Sequence, residues 1–495
     1  MSSSEKQTEV KTTSIVDHML FGRRKIFSSV DEITPDNIIE VLEKAYSVHL
    51  MNRGEINYLY DYYRGKQPIL QRIKEIRPEI CNNVVVNLAF AIVDFKVGYQ
   101  CGSPMQYTAA KSLEGLSAKV EDLNNLMDYE NKATKDKDLI ESQMICGTGY
   151  RCALPDDLVN PEEDEAPFEI NNLRASNTFV IYSNKIGEKS LAGVTYWASN
   201  NYTGEFDQFN IMDGYVFAIY TPKWYIEIKD GKVVSVLPNN LGMIPIIEYP
   251  LNNARLGAFE IVISLLDALS MIESNRLDGL EGFVQAFIKF VNCDISKEEY
   301  EEFLAMGAIK VSSHEGKNAD VDIVSKELSQ DQAQTEVNDI VHMILTICGM
   351  PAQGDANSSD SSNNGAMLVK NGWTSAESRA KGYSLMFESS EKELLKVIFK
   401  ILRDNGVLDL KVSDIKMVFP RLNYENVQSK VQALIQMLDN EKIHPLDAYS
   451  HSGLFTDPET AYTNGMKWYE EQLDRFKVGE DDVPTSGQGT SEDTE

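Results

Sequence analysis

Nowhere in the 495 residues do the roughly 20 uninterrupted apolar residues of a membrane span occur. The best run, Val84 to Val93, is short and contains Asn87. The opening stretch M-S-S-S-E-K-Q-T-E-V-K lacks the apolar core of a secretory signal, so synthesis and retention in a cytoplasm are expected. Cysteine is scarce: six residues, at 81, 101, 146, 152, 293 and 348, with no C-x-x-C pair. In a reducing compartment these read as buried free thiols. Cations are short as well. Lys+Arg number 47 against 76 Asp+Glu, for a formal net charge of -29. A freestanding DNA-binding protein brings cations to phosphates, so that class is disfavoured. A negative surface can still surround DNA where the task is to avoid sticking to it.

Catalytic constellations are missing too. The six histidines show no H-x-x-x-H or H-E-x-x-H spacing. Gly147-Thr148-Gly149-Tyr150 lacks the Gly-Lys-Ser/Thr of a phosphate loop and reads as a helix-end glycine. The acids Glu162-Glu163-Asp164-Glu165 have no spaced partner and read as a solvated charge run. Asp355 to Asp360 opens like a calcium loop, but Asp360 stands where glycine is needed and Ala366 where a bidentate Glu is needed. No catalytic residue, cofactor site or metal site is expected, and the chain reads as a non-enzyme.

What is present is a globular chain, 42% hydrophobic and 25% charged. Its length suits two to four domains, or one subunit of several layers. Helical periodicity begins after Thr34-Pro35 and runs through Ile38, Val41, Leu42 and Ala45, and a short helix is expected over 58–64. Val85, Leu88, Ile92, Phe95 and Tyr99 share a helical face, and a polar helical stretch follows over 119–145. From Tyr150 the pattern turns to short β-rich runs at 179–182, 192–197, 215–220, 224–228 and 233–237, an antiparallel layer closed by 244–249.

Two long helices come next, over 258–281 and 331–348. The first carries Ile261, Leu265, Leu269, Ile272 and Leu280 on one stripe, and the second turns Val337, Ile340, Val341, Ile344 and Leu345 inward. They flank an insert read as a strand at 286–291, a helix at 296–306, and strands at 308–312 and 321–324. Gly349-Met350-Pro351 stops the second helix before a polar loop. A third helix, with a kink expected at Asn371-Gly372, reaches Asn405-Gly406. A strand at 415–419, helices at 427–438 and 458–475, and a mobile acidic tail complete the reading. Both flanking helices are too polar to stand alone and can bury side faces against neighbouring subunits.

The ordered set Tyr62-Tyr63-Arg64-Gly65-Lys66-Gln67-Pro68-Ile69-Leu70, Asn82-Asn83 with Asn87, Asp94-Phe95-Lys96-Val97-Gly98-Tyr99 and Gly102-Ser103-Pro104 carries a resemblance. Asn252-Asn253, Gly257-Ala258-Phe259-Glu260, Glu273-Ser274-Asn275, Asn357-Ser358-Ser359 and Gly365-Ala366-Met367-Leu368 continue it. The chain resembles the portal proteins of tailed double-stranded-DNA bacteriophages, of the type found in siphoviruses of Gram-positive hosts.

The resemblance implies an α+β portal fold. A flexible N-terminus (1–29) would precede a wing (30–257), a first stem helix (258–285), a clip (286–328) and a second stem helix (329–350). A tunnel loop (351–364), a long kinked helix with a returning wing strand (365–424), crown helices (425–477) and a flexible tail (478–495) would follow. It implies a dodecameric ring at one capsid vertex of the virion, assembled in the host bacterial cytoplasm. DNA would pass through it in packaging and ejection, without sequence specificity.

Ser358, Ser359, Asp360, Ser361, Ser362, Asn363, Asn364 and Lys370 would face the duplex, with Arg379 the next cation. Lys289, Glu298, Glu299, Glu302 and Lys310 would dock the terminase large subunit and, later, a head-completion adaptor protein. The major capsid protein and the scaffolding protein would meet the wing. Leu265, Leu269, Ile272, Ile340 and Ile344 are the stem residues expected to pack between subunits. Ordinary solvated charge is the competing reading at Lys370 and the clip. For the whole chain, the rivals are an acidic virion or scaffold protein without a channel and a metal-dependent nuclease.

Overall fold

The computed structural model describes residues 22–75, 77–110, 115–156, 165–199, 214–284, 287–291, 320–324, 330–351, 372–421, 427–455 and 458–480. Strand β1 (Ile26–Ser28) leads to helix α1 (Ile38–Tyr63). A turn at Thr34–Asn37 precedes this helix, the Thr34 amide donating to Asn37 Oδ1 at 2.9 Å. Where the periodicity suggested two helical pieces, one helix of 26 residues runs through. Gly54, on its exposed side with open space around it, costs only about 1 kcal/mol relative to alanine.

Helix α2 (Leu88–Cys101) starts at Asn87, whose Oδ1 accepts from the Phe90 amide. Its buried face is Ala89, Ile92, Val93, Lys96, Val97 and Gln100. The expected stripe is thus corrected: Val85 precedes the helix, and Phe95 and Tyr99 sit on its flank. Strand β2 (Gln106–Ala109) is followed by α3 (Leu116–Tyr129) and α4 (Lys132–Cys146). The single helical stretch expected here is broken at Asn131, a left-handed residue with φ 52°. Asparagine tolerates that conformation better than most side chains. Gly147, at φ 79°, ends α4 as its sequence suggests.

Strands β3 (Thr148–Pro155), β4 (Phe168–Leu173), β5 (Thr178–Ser183), β6 (Ser190–Ala198), β7 (Tyr215–Tyr220), β8 (Trp224–Lys229), β9 (Lys232–Pro238) and β10 (Ile246–Pro250) form two sheets. One has the order β1-β5-β6-β7-β8-β9, antiparallel except for β1 beside β5. The other is β10-β3-β4. Strand β10 therefore does not close the larger sheet. It pairs with β3 and lies across β6, where Ile244 and Ile246 press on Gly193 so closely that no Cβ would fit.

A 3-10 turn at Glu260–Val262 opens α5 (Ile263–Val284). Strand β11 (Phe287–Val291) pairs antiparallel with β12 (Asp320–Val324), and α6 (Gln330–Cys348) follows. The helix expected over 296–306 and the strand over 308–312 lie outside the described residues. Helix α7 (Trp373–Asp404) begins directly after Gly372, which at φ 80° is its N-cap and not a kink within it. Strand β13 (Ile415–Val418) pairs with β2. Helices α8 (Val427–Leu438), α9 (Pro445–Ser452) and α10 (Pro458–Glu480) end the chain's described part.

The α+β architecture holds two cores. The larger joins α2, α4, β3, β10, α5, α6 and α7, with Leu394, Leu395, Ile398, Ile401 and Leu402 of α7 all buried. The smaller packs the first half of α1 on the six-stranded sheet through Tyr46, Phe179 and Phe217. Each such side chain contributes about 1.5–3 kcal/mol by leaving water. Among the described residues, no helix is long and apolar enough to cross a membrane.

Candidate functional site

Helices α5 and α6 pack against each other, and the Cys348 thiol at the end of α6 meets the Ala258 carbonyl just before α5 at 3.6 Å. The pair is therefore antiparallel, with its foot in the larger core. Leu269, Ile340 and Ile344 are buried within the chain itself, while Leu265 and Ile272 are half-buried. The exposed apolar side chains of the pair are Met271, Leu277 and Leu280 of α5 and Met343 and Ile347 of α6. Ile261 and Leu280, expected on one stripe with Leu265, Leu269 and Ile272, are exposed.

One side of α5 is fixed by an extended segment, residues 82–86. The Val86, Val84 and Asn82 amides donate to Ser270 Oγ, Ser274 Oγ and Asp278 Oδ1 at 3.3, 2.9 and 2.7 Å. Two extended residues advance about 6.6 Å and four helical residues about 6 Å, so the two registers match. Asp278 also pairs with Arg72 and Lys74 at 3.0 and 3.1 Å. Burial works to raise its pKa, but the bonds from Asn82 and Lys74 outweigh burial and leave it lowered. Asn82, Ser274 and Asn275, quoted above as scattered motif residues, thus meet at one place: Arg72 Nη2 reaches Asn275 and Asn82 Nδ2 reaches Glu281.

The foot of α6 is a Schellman turn. The Met350 amide donates to Leu345 O at 2.8 Å and the Gly349 amide to Thr346 O at 3.0 Å, with Gly349 at φ 65°. A Cβ on Gly349 would collide with the Arg379 guanidinium. Lys96 Nζ, from α2, donates to the Cys348 carbonyl at 2.8 Å. Two cations, one from α2 and one from α7, thus stand at the negative end of the α6 dipole. Burial pushes the Lys96 pKa down to about 8, Cys348 opposing the shift and Arg379 adding to it.

The chain returns after residue 371 at the same helix. Trp373, in the first turn of α7, lies with its ring 6.0 Å from those of both Phe95 and Tyr99 of α2. Tyr99 donates to Glu377 at 2.8 Å, and Gln100 Nε2 donates to Ser384 Oγ at 2.9 Å. The described residues on either side of 352–371, Cys348 and Trp373, therefore both touch one helix, α2.

Deeper along α7, the fully buried Glu391 accepts from the Tyr107 and Tyr249 hydroxyls at 2.6 and 2.7 Å. Lys132 lies 3.1 Å and Arg151 3.7 Å from its carboxylate. Asp136 holds the same two cations at 2.7 and 2.6 Å. Burial works to raise the Glu391 pKa, but Lys132, Arg151 and the two tyrosines outweigh it and keep the group ionised. The cluster ties α7 to β2, α4, β3 and β10.

Ser358, Ser359, Asp360, Ser361, Ser362, Asn363, Asn364 and Lys370 lie outside the described residues, as do Glu298, Glu299, Glu302 and Lys310. Lys289 stands opposite Asp322 in the β11–β12 register. Lys96, Asp278 and Glu391 were not singled out as site residues from the sequence. For Lys96 a signal existed: a charge at helical spacing between the apolar Ile92, Val93 and Val97.

An α+β body with two antiparallel helices and a small two-stranded sheet between them in sequence fits the class of phage portal subunits. The chain belongs to that class: it matches the family described as "Phage portal protein, SPP1 Gp6-like" over residues 42–481. Proteins of this family are structural and not enzymes. No curated protein matches the chain. Among solved structures it is similar to a chain of the "Neck of empty GTA particle computed with C6 symmetry", at 13% identity and a TM-score of 0.42, covering 74% of this chain and 90% of that one.

Proposed function

We propose that this portal protein forms a closed ring at one capsid vertex and that double-stranded DNA passes through it during packaging and ejection. On this reading α5 and α6 are the stem, β11–β12 belongs to the clip, and residues 352–371 approach the DNA. The terminase large subunit and then an adaptor dock at the clip through Lys289, Glu298, Glu299, Glu302 and Lys310. The major capsid and scaffolding proteins meet the wing, and assembly takes place in the host cytoplasm.

The observation that carries this reading is the double anchorage of segment 352–371 beside α2. A loop that touches moving DNA needs fixed ends, or tension on the polymer would pull on the fold. Charge supports it. Helix α6 carries Asp331, Glu336 and Asp339 and no Lys or Arg, and α5 has Arg276 alone against four acids. Phosphate contacts release counterions and hold the duplex; an anionic stem offers few. The hydroxyls and amides of Ser358, Ser359, Ser361, Ser362, Asn363 and Asn364 offer brief hydrogen bonds instead, beside Asp360 and Lys370.

Deletion of residues 358–363 tests the assignment. Rings should form in normal number, and DNA packaging or retention in particles should drop. Normal packaging by the deletion would remove the loop from the mechanism. For subunit packing, Met271→Asp is a sharper probe than a change at Leu269, which is buried in its own chain; it should lower the oligomeric mass.

A further inference from the structure

Among the described residues, little packs on helix α10 beyond Tyr462. Tyr462 packs on Tyr449 and His444 of the α9 region, with ring separations of 5.8 and 6.2 Å. From Thr463 to Glu471 every residue is exposed, on all sides of the helix. At 100° per residue, Met466, Tyr469 and Leu473 lie within about 60° of Tyr462. The face that packs inside the chain thus continues outward, its three side chains 40%, 54% and 40% exposed. Isolated helical turns of this length are marginal in water and depend on tertiary packing.

Helix α8 presents a matching face. Val431, Ile435 and Leu438, beside the buried Leu434, are 40%, 53% and 40% exposed and share one stripe. Both stripes hold three apolar side chains over eight positions, about 10 Å of helix. Apolar patches this regular on a soluble surface mark contacts.

We propose that the α8 stripe of one copy receives the α10 stripe of the next, so that the C-terminal helices are completed only between neighbouring copies. One heterologous contact, repeated around a ring, covers both stripes of every chain. An unrelated partner would cover one and leave the other in water. The contact carries no cation of either stripe toward a phosphate, so it is a protein surface and not a DNA surface. The inference rests on the ring reading and adds to it which faces meet.

The test uses two full-length variants, Ile435→Cys and Tyr469→Cys, co-expressed with different tags, oxidised mildly and run on a non-reducing gel beside the parent protein. The expected result is a shift from monomer to a disulfide-linked dimer carrying both tags, while each variant alone stays at the parent's background. Rings counted by native mass spectrometry without that dimer would overturn the pairing and leave the ring reading standing. A dimer in either variant alone would overturn it in favour of like-to-like pairing. A protein that remains monomeric with scaffold present would overturn both.

Discussion

Lys96 Nζ donates to the carbonyl oxygen of Cys348 across 252 positions of sequence, at 2.8 Å. The bond joins α2 to the last turn of α6 at the point where the chain departs toward segment 352–371. Its donor is held below its ordinary pKa, which makes the joint sensitive to alkaline pH. Between about pH 8 and 10.5 the unfolded chain keeps this proton and the folded chain gives it up, so stability rises with pH through that window. The protonated lysine costs the fold about 3 kcal/mol below pH 8 and progressively less above it. Chemical unfolding at pH 7.5 and 9.5 should therefore show the native protein gaining on Lys96→Met. Parallel curves for the two proteins would count against the assignment.

Glu391→Ala should lower unfolding stability by about 3–5 kcal/mol, because two buried cations, Lys132 and Arg151, would be left to Asp136 alone and the Tyr107 and Tyr249 hydroxyls would lose their acceptor. Denaturant titration checks this. Glu393→Ala, two residues further along and paired only at the surface with Lys396, should cost less than about 1 kcal/mol.

Gly349→Ala meets two obstacles, a left-handed backbone and the Arg379 guanidinium. Adding Arg379→Ala removes the second and leaves the first, about 1 kcal/mol. The double variant should thus lose less stability than the two single losses summed. A purely additive pair, measured by thermal unfolding, would argue against the collision.

Asp278→Asn keeps the shape of the ladder's last rung and removes the charge that Arg72 and Lys74 share. Amide exchange at Asn82 should quicken, while that at Val86, two rungs away, should change little. Equal acceleration at both would mean that segment 82–86 opens as one piece.

Long amphipathic elements were legible in the sequence: α5, α6 and α7 appear where their stripes put them, and strands β5 to β9 where β-rich runs alternate with turns. Strands β3 and β4 were not. Strand β3 is buried on both faces along most of its length and includes the fully buried Arg151, so neither alternation nor polarity marks it. The placement of β10 was misread because a short apolar run does not say which sheet it joins, and its partner lies about a hundred positions earlier. The site anchors were hidden for the same reason. Asp278 and Glu391 look like solvated helix charges until Arg72, Lys132 and Arg151 arrive from distant parts of the chain. Asn82 and Ser274 were visible as motif letters, and only the fold makes them neighbours.

Because segment 352–371 begins and ends beside α2, the distance it must span is set by the body and not by its own length. Closing a flexible loop becomes costlier only slowly as it grows, by about 0.6 kcal/mol for each doubling. Residues can therefore be added, removed or exchanged there while α5, α6 and α7 keep their places. On the proposed function, the stretch that meets the DNA is thus also the part that can be rewritten with the least disturbance to the rest. Chimeras carrying loops of other lengths between Pro351 and Gly372 should fold as the parent does.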